Sequence, residues 1–277
     1  MRPDAVQGIA AALAAAVVAT GALAASPPSR VNVLVLKEHG VGGASLAQSY
    51  LDRFIALAAK QYGWGNDAHG QYHTTRAAAE AYIRDEKPHF GILSLAAFLA
   101  LQKKYQLEVL GTVLVSRAGG QQYFLISKNA PDAKGCFGKT MATDHADDPR
   151  FLERVVSGRA FVLGDFQLVE TQRPLQAIKK VLTGEAECAL VDDAQMAELP
   201  HIDGAEGIRS VWESAKFPSM TVVAFGTTPA AERKKFKDGL SRVCDGEGKT
   251  ACAEVGIIAL AGADAGRYAA VEKAYGN

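Results

Sequence analysis

The stretch Pro174 to Met196, PLQAIKKVLTGEAECALVDDAQM, constrains the fold more than any other part of the chain. Leu175, Ile178, Val181 and Leu182 recur at helical spacing, with Lys179 and Lys180 turned away from that stripe. Pro174 suits a first helical turn, where its missing N–H removes no bond, and Gly184 suits the residue that ends a helix. Cys188-Ala189-Leu190-Val191 is too apolar for a sheet with one wet face and reads as a buried strand. Asp192 and Asp193 follow at its C-terminal end, where open α/β sheets hold ligands. The same succession occurs earlier. Ala77 to Ile83 is helical, Lys87-Pro88 breaks the helix, His89 to Leu93 is a buried strand, and Ser94 precedes a helix from Ala96 to Lys104. Two such units predict an α/β protein with two lobes.

Residues 1–26 differ from the rest. Arg2 is the only basic residue there, an Ala/Val/Leu-rich run spans Ile9 to Ala25, and Ala22-Leu23-Ala24 is a cleavage pattern. Residues 1–24 therefore read as a secretory signal peptide. The alternative is an uncleaved anchor, but the run barely spans a bilayer and alanine is a poor membrane residue. Export to an oxidising compartment makes the four cysteines interpretable. Cys244 and Cys252 enclose DGEGKTA, read as a polar loop between helical stretches, and are expected to pair. Cys136 precedes the strand Thr140–Thr143 and Cys188 begins another; parallel neighbouring strands would put both at one edge, where they either bridge or stay as buried thiols. A formal net charge of zero argues against nucleic acid or an anionic membrane surface as partner.

In chain order, Val31 to Leu36 is the first strand. Lys37 to Ser45 (KEHGVGGAS) is a glycine-rich turn into a helix, Leu46 to Lys60, and backbone N–H groups at such a start can hold an anion. The loop lacks both the dinucleotide and the P-loop spacing, and no hydrolase, zincin or kinase motif occurs, so no cofactor is expected. His69 and His73 lie on one face of an extended stretch but about 13 Å apart, too far to share a metal. No Cys/His spacing fits a zinc site. Leu107 to Val115 and Gln122 to Ser127 form a strand pair at a natural crossing between lobes, and Thr221 to Phe225 marks a second. Asp144-His145-Ala146-Asp147-Asp148 is a polar turn before a helix opened by Pro149 and Arg150. Phe166 to Glu170 is a strand, Ile208 to Trp212 another, Pro229 to Val243 a basic amphipathic helix, and Ala263 to Ala274 a last helix. Of the adjacent pair Asp192-Asp193, Asp193 is expected to cap the following helix.

This order of elements resembles the periplasmic solute-binding proteins of ABC importers, in particular the phosphate/phosphite/phosphonate-binding family. The likeness runs from about Val31 to Val243. It is carried by Pro88-His89-Phe90-Gly91-Ile92-Leu93-Ser94-Leu95-Ala96-Ala97-Phe98, by Tyr123-Phe124-Leu125-Ile126-Ser127-Lys128 with Gly138-Lys139-Thr140, by Leu182-Thr183-Gly184-Glu185-Ala186 through Val191-Asp192-Asp193, and by Trp212-Glu213-Ser214 through Phe217-Pro218. The resemblance implies a type II fold: two α/β lobes joined by two crossover strands and closing on a ligand. The implied division is lobe 1 over 27–117 with 222–277 and lobe 2 over 118–221. The family's ligand residues match poorly. Its hydroxyl cluster after the strand Thr140–Thr143 corresponds to Ala146, Asp147, Asp148 and Pro149, its His-Asp pair to Gln172-Arg173, and its tyrosine to Phe98; an aspartate near Asp192 is retained.

The reading that follows is a monomeric periplasmic binding protein, not an enzyme, that captures a small solute by hinge closure and presents it to a membrane ABC permease or sensor. Candidate ligand contacts are His39, Gly42, Gly43, Ser94 and Phe98 in one lobe and Asp144, His145, Gln172, Arg173 and Asp192 in the other. The run of aspartates disfavours a phosphonate and favours a neutral, zwitterionic or cationic solute, or one bridged by a cation. The competing reading is an enzyme or metal-scavenging protein using Asp144, His145, Asp147 and Asp148, and a third is a sensor-associated binding module without a transporter.

Overall fold

The computed structural model describes residues 30–39, 44–116 and 119–276. The expected signal peptide and the glycines Gly42 and Gly43 lie outside the described residues. Two sheets divide the chain. The first contains β1 (Val31–Leu36), β2 (Ala68–His73), β3 (Phe90–Leu93), β4 (Glu108–Val115), β10 (Thr221–Ala224) and β11 (Ile257–Gly262), in the order β11-β4-β10-β3-β1-β2. The second contains β5 (Tyr123–Ser127), β6 (Thr140–Thr143), β7 (Gln167–Glu170), β8 (Cys188–Asp192) and β9 (Arg209–Glu213), in the order β7-β6-β8-β5-β9. The chain passes from the first sheet to the second between β4 and β5 and returns between β9 and β10. These are the two crossings that the resemblance implies.

In each sheet the parallel strands are the ones joined through helices. β1 pairs in parallel with β2 and β3, and β6 with β7 and β8, whereas β10 and β5 run antiparallel to their neighbours. α1 (Ala44–Tyr62) links β1 to β2, and α2 (Arg76–Glu86) links β2 to β3. The Thr75 hydroxyl opens α2 by accepting from the Ala78 N–H, and Lys87, in the left-handed region at φ 45°, closes it before Pro88. α3 (Leu95–Tyr105) follows β3, and every residue of β3 and β8 is buried, as the apolar runs Phe90–Leu93 and Cys188 to Val191 demand, with Asp192 buried as a helix cap.

α4 (Pro149–Phe151) starts after β6 and continues as a single π-type turn, Leu152–Val156. α5 (Gln176–Thr183) begins two residues later than Pro174 suggests, with Leu175 at its N-cap and Gly184 at φ 76° at its end. α6 (Asp193–Glu198) follows β8 directly. Its cap is Asp192 rather than Asp193. The Asp192 carboxylate accepts from the Gln195 N–H while the Gln195 side chain accepts from the Asp192 N–H, a reciprocal box that the Asp-x-x-Gln spacing allows only from Asp192.

α7 (Ala230–Gly239) is the basic surface helix. α8 (Gly248–Glu254) takes up half of the stretch expected to be a loop, and β11 and α9 (Ala269–Tyr275) complete the chain. β11 carries no clear alternation and is an edge strand on β4, which is why its sequence does not announce it. Both disulfides form. Cys244 joins Cys252, and Cys136 joins Cys188, because β6 and β8 are parallel neighbours with Met141 opposite Cys188.

One apolar core runs through both halves of the molecule, from Leu34, Leu93 and Phe98 to Leu125, Met141 and Phe151. α9 helps to join them. Tyr268 packs on Phe98, Gln102 donates to Glu272 at 2.8 Å, and the Tyr275 ring lies under the Arg150 guanidinium at 4.3 Å.

Candidate functional site

Between the sheets, beside both crossings, lies a cavity of about 130 Å³. Lys37, Glu38 and His39 reach it from the end of β1, and Ser94 from the end of β3. Tyr123, His145, Asp192 and Glu198 reach it from the second sheet and α6, and Gly120, Gln121 and Ser219 from the crossing segments. These positions follow from the topology. The C-terminal ends of β1 and β3 face those of β6 and β8, so residues just past four strands converge. A wider groove of about 640 Å³ continues outward from His39 between Thr74 and Thr75 on one side and Asp144, Asp147, Thr171, Gln172 and Arg173 on the other.

Ion pairs cross the cleft. Arg76, the first residue of α2, donates Nε to Glu38 at 2.8 Å and Nη1 to Asp148 at 2.9 Å. The side chains of Glu38 and Asp148 are only 2% and 7% exposed, so this is a largely buried carboxylate–guanidinium–carboxylate bridge between the first sheet's half and the second's. Asp148 also accepts from the Phe151 N–H at 2.9 Å, capping α4, and from the Tyr275 hydroxyl at 3.3 Å. Further out, His39 Nε2 meets Asp147 at 3.1 Å and its Nδ1 lies 3.8 Å from Asp144. Burial pulls the His39 pKa down, but the hydrogen bond to Asp147 and the charges of Asp147, Asp144 and Glu38 outweigh it and leave the imidazole above its ordinary value. Burial pushes Asp147 up, yet the His39 hydrogen bond and charge hold it below the ordinary carboxylate range. His39 itself sits at φ 57°, in the left-handed region, as the chain leaves β1.

Gln195, fully buried, ties the second half of the site together. Its Nε2 donates to Asp144 at 2.8 Å and to the Pro174 carbonyl at 2.7 Å, and its Oε1 accepts from the Asp192 N–H. The same Oε1 lies 3.2 Å from His145 Nε2, which must therefore carry the proton in that contact.

The cavity wall also holds polar heads that nothing described engages. Ser219 Oγ is buried without a partner. Among the described residues, no hydrogen bond or ion pair reaches the Lys37 ammonium, the Tyr123 hydroxyl or the Glu198 carboxylate. The Tyr123 phenol is held far above its ordinary pKa by burial and then by the charges of Asp192, Asp193, Glu38 and Asp144, so it stays a neutral hydroxyl. Along the groove, Thr171 Oγ1 is likewise buried and unpartnered.

Against this geometry the sequence-derived contacts sort as follows. His39, Ser94, His145 and Asp192 come together around the cavity; Asp144, Gln172 and Arg173 line the groove. Phe98 does not reach the cleft: it is fully buried against Tyr268, one turn beyond Ser94. Asp148 turns inward as a cap and bridge partner. Among the described residues, no group of three or more His, Cys, Asp or Glu is placed to hold a metal ion. The unforeseen participants are Lys37, Glu38, Arg76, Tyr123, Gln195, Glu198 and Ser219. Arg76 left a usable signal. A cation in the first turn of a helix opposes the helix dipole, and α2 has no acidic residue there to offset it, which favours a carboxylate supplied from elsewhere.

Two sheets joined by two crossings, with a polar cavity beside them, define a two-lobed α/β fold of the periplasmic-binding-protein kind. Residues 150–268 match the family described as the periplasmic substrate-binding protein of phosphonate ABC transporters. Solved structures agree on the fold. A binding protein component of an ABC phosphonate transporter from Pseudomonas aeruginosa superposes with a TM-score of 0.66 at 13% identity, covering 88% of this chain and 84% of that one. PhnD1 from Prochlorococcus marinus, solved with methylphosphonate, gives 0.65 at 11% identity over 89% and 97%. XAC2383 from Xanthomonas citri, solved with ATP, gives 0.69 at 12% identity over 88% and 95%. No curated protein sequence matches this chain. Among the described residues no helix is long and apolar enough to cross a membrane.

Proposed function

We propose that this chain is the solute-capturing component of an importer, exported through its N-terminal signal peptide and acting as a monomer without catalytic chemistry. The lobe division is 27–117 with 222–277 against 118–221, and the solute lies in the cavity where the two halves and both crossings meet. The observation that carries this reading is that cavity, walled by residues from four strand ends and holding the buried, unpartnered Ser219 hydroxyl. Closure would be read by a membrane permease, the role that the matched family serves.

The ligands named for the structural relatives, methylphosphonate and ATP, are oxyanions. In this chain the start of α4, a natural anion seat, already holds the carboxylate of Asp148. Asp148 is held by Arg76 and lies outside the cavity wall, so that seat offers an incoming oxyanion nothing. The reading is therefore a neutral, zwitterionic or cationic solute, or one bridged by a cation, rather than a bare phosphonate. Small-angle scattering with and without the solute released from protein purified out of the periplasm tests the function. A bound small molecule whose return shrinks the radius of gyration is expected. A radius indifferent to every released solute contradicts capture by closure.

A further inference from the structure

We infer that the cavity recognises a small zwitterion, with its acid end on Lys37, Tyr123 and Ser219 and its ammonium on Glu198. The inference rests on the substrate-binding reading and narrows its ligand. Glu38 is held by Arg76 and accepts from the Ser94 hydroxyl at 3.3 Å. Asp192 caps α6, and His145 is held by Gln195. What remains is one cluster of donors and one carboxylate. Lys37 lines the wall next to Gly119, its Nζ 3.7 Å from where a Cβ on that glycine would lie. Tyr123 is 5% exposed and presents a neutral hydroxyl. Ser219 Oγ is buried with no partner, a state that is unfavourable unless a ligand or water takes the hydrogen bond. Lys37, Tyr123 and Ser219 supply N–H and O–H donors from the end of β1, the start of β5 and the second crossing, the kinds of group from which a carboxylate's oxygens accept. Glu198, one turn beyond Ala194 on the same face of α6, is the only unengaged carboxylate of the wall among the described residues.

Size and charge narrow the ligand further. At about 130 Å³ the cavity lies below the ~300–1,000 Å³ typical of sites for drug-sized ligands and suits a small molecule. A simple anion of that size would leave Glu198 unpaired, and a simple cation would leave Lys37 unpaired; a molecule with both ends leaves neither.

Calorimetry on the purified protein separates these cases. The probes are glycine and β-alanine, acetate and propionate, which lack the amino group, and methylamine and ethylamine, which lack the acid. One of the amino acids is expected to bind about thirtyfold or more tighter than both of its halves, the loss typical of removing one partner of a buried charge pair. Lys37→Met should erase the advantage over the amine, and Glu198→Gln the advantage over the acid. The comparison among probes on the unaltered protein stands even if either variant folds poorly. Acetate or propionate binding as tightly as its amino acid overturns the inference, as does failure of both amino acids to bind at millimolar concentration. In either event, closure on another solute in small-angle scattering leaves the substrate-binding reading intact. Amino-acid binding without closure would remove that reading instead.

Discussion

The two sides of the cleft have opposite character. On the Arg76 side almost every charge is answered within the protein: Glu38, Arg76 and Asp148 form a bridge, Asp147 meets His39, and Gln195 holds Asp144. On the Ser219 side, the Lys37, Tyr123 and Glu198 heads face the cavity without a described partner. The difference teaches that a carboxylate-rich run is a poor guide to ligand charge. The aspartates that look available in the sequence serve as caps and latches, whereas the unengaged groups lie at strand ends and crossings where no motif marks them. A satisfied network rigidifies, and an unsatisfied buried group invites a ligand.

Changes on the satisfied side should cost stability and changes on the other side should cost binding, and that contrast can be broken. Arg76→Ala has the largest expected effect, because it strands two buried carboxylates. A loss of about 3–5 kcal/mol in urea unfolding is expected. A loss below about 1 kcal/mol would mean that the bridge is an incidental contact. Gln195→Leu comes next. It leaves Asp144 and the Pro174 carbonyl without their donor in a buried setting, at about 1–3 kcal/mol for each group left unsatisfied, less whatever water recovers.

The His39–Asp147 pair should be felt through pH. The raised His39 contributes stability fully below about pH 6.5, the unfolded value, and loses it as pH rises through its higher folded value. The depressed Asp147 contributes above its unfolded value of about 4 and loses it as pH falls through the lower folded one. The pair is thus at full strength between about pH 4 and 6.5. His39→Gln should flatten that part of the stability–pH curve by no more than about 1 kcal/mol, since Asp147 is half exposed. An unchanged curve would show that the pair does not form in solution.

The smallest stability effect belongs to the other side. Ser219→Ala removes a buried hydroxyl that bonds to nothing described, so thermal unfolding should be unchanged or slightly later while solute affinity falls. A clear loss of stability would blur the contrast between the two sides.

Much of this was legible from residue order. Period-3.6 stripes and unbroken apolar runs place α2, α5, β3 and β8, because local spacing decides which face can be buried. The Cys244–Cys252 pairing and the likeness to two-lobed binding proteins also rest on local spacing and on the order of short motifs. Other features needed the fold. Whether Cys136 and Cys188 bridge depends on which strands become neighbours, and the sequence left bridge and free thiols open until β6 and β8 were seen paired. Phe98 and Ser94 lie four residues apart near the start of one helix, yet one faces the core and the other the cleft. Arg76 and Asp148 are far apart in the chain and meet only because two sheets present their C-terminal strand ends to each other. A side chain's own chemistry says what it can bond to. Only tertiary packing, by bringing a partner or withholding one, decides whether that capacity is spent inside the protein or left for a ligand.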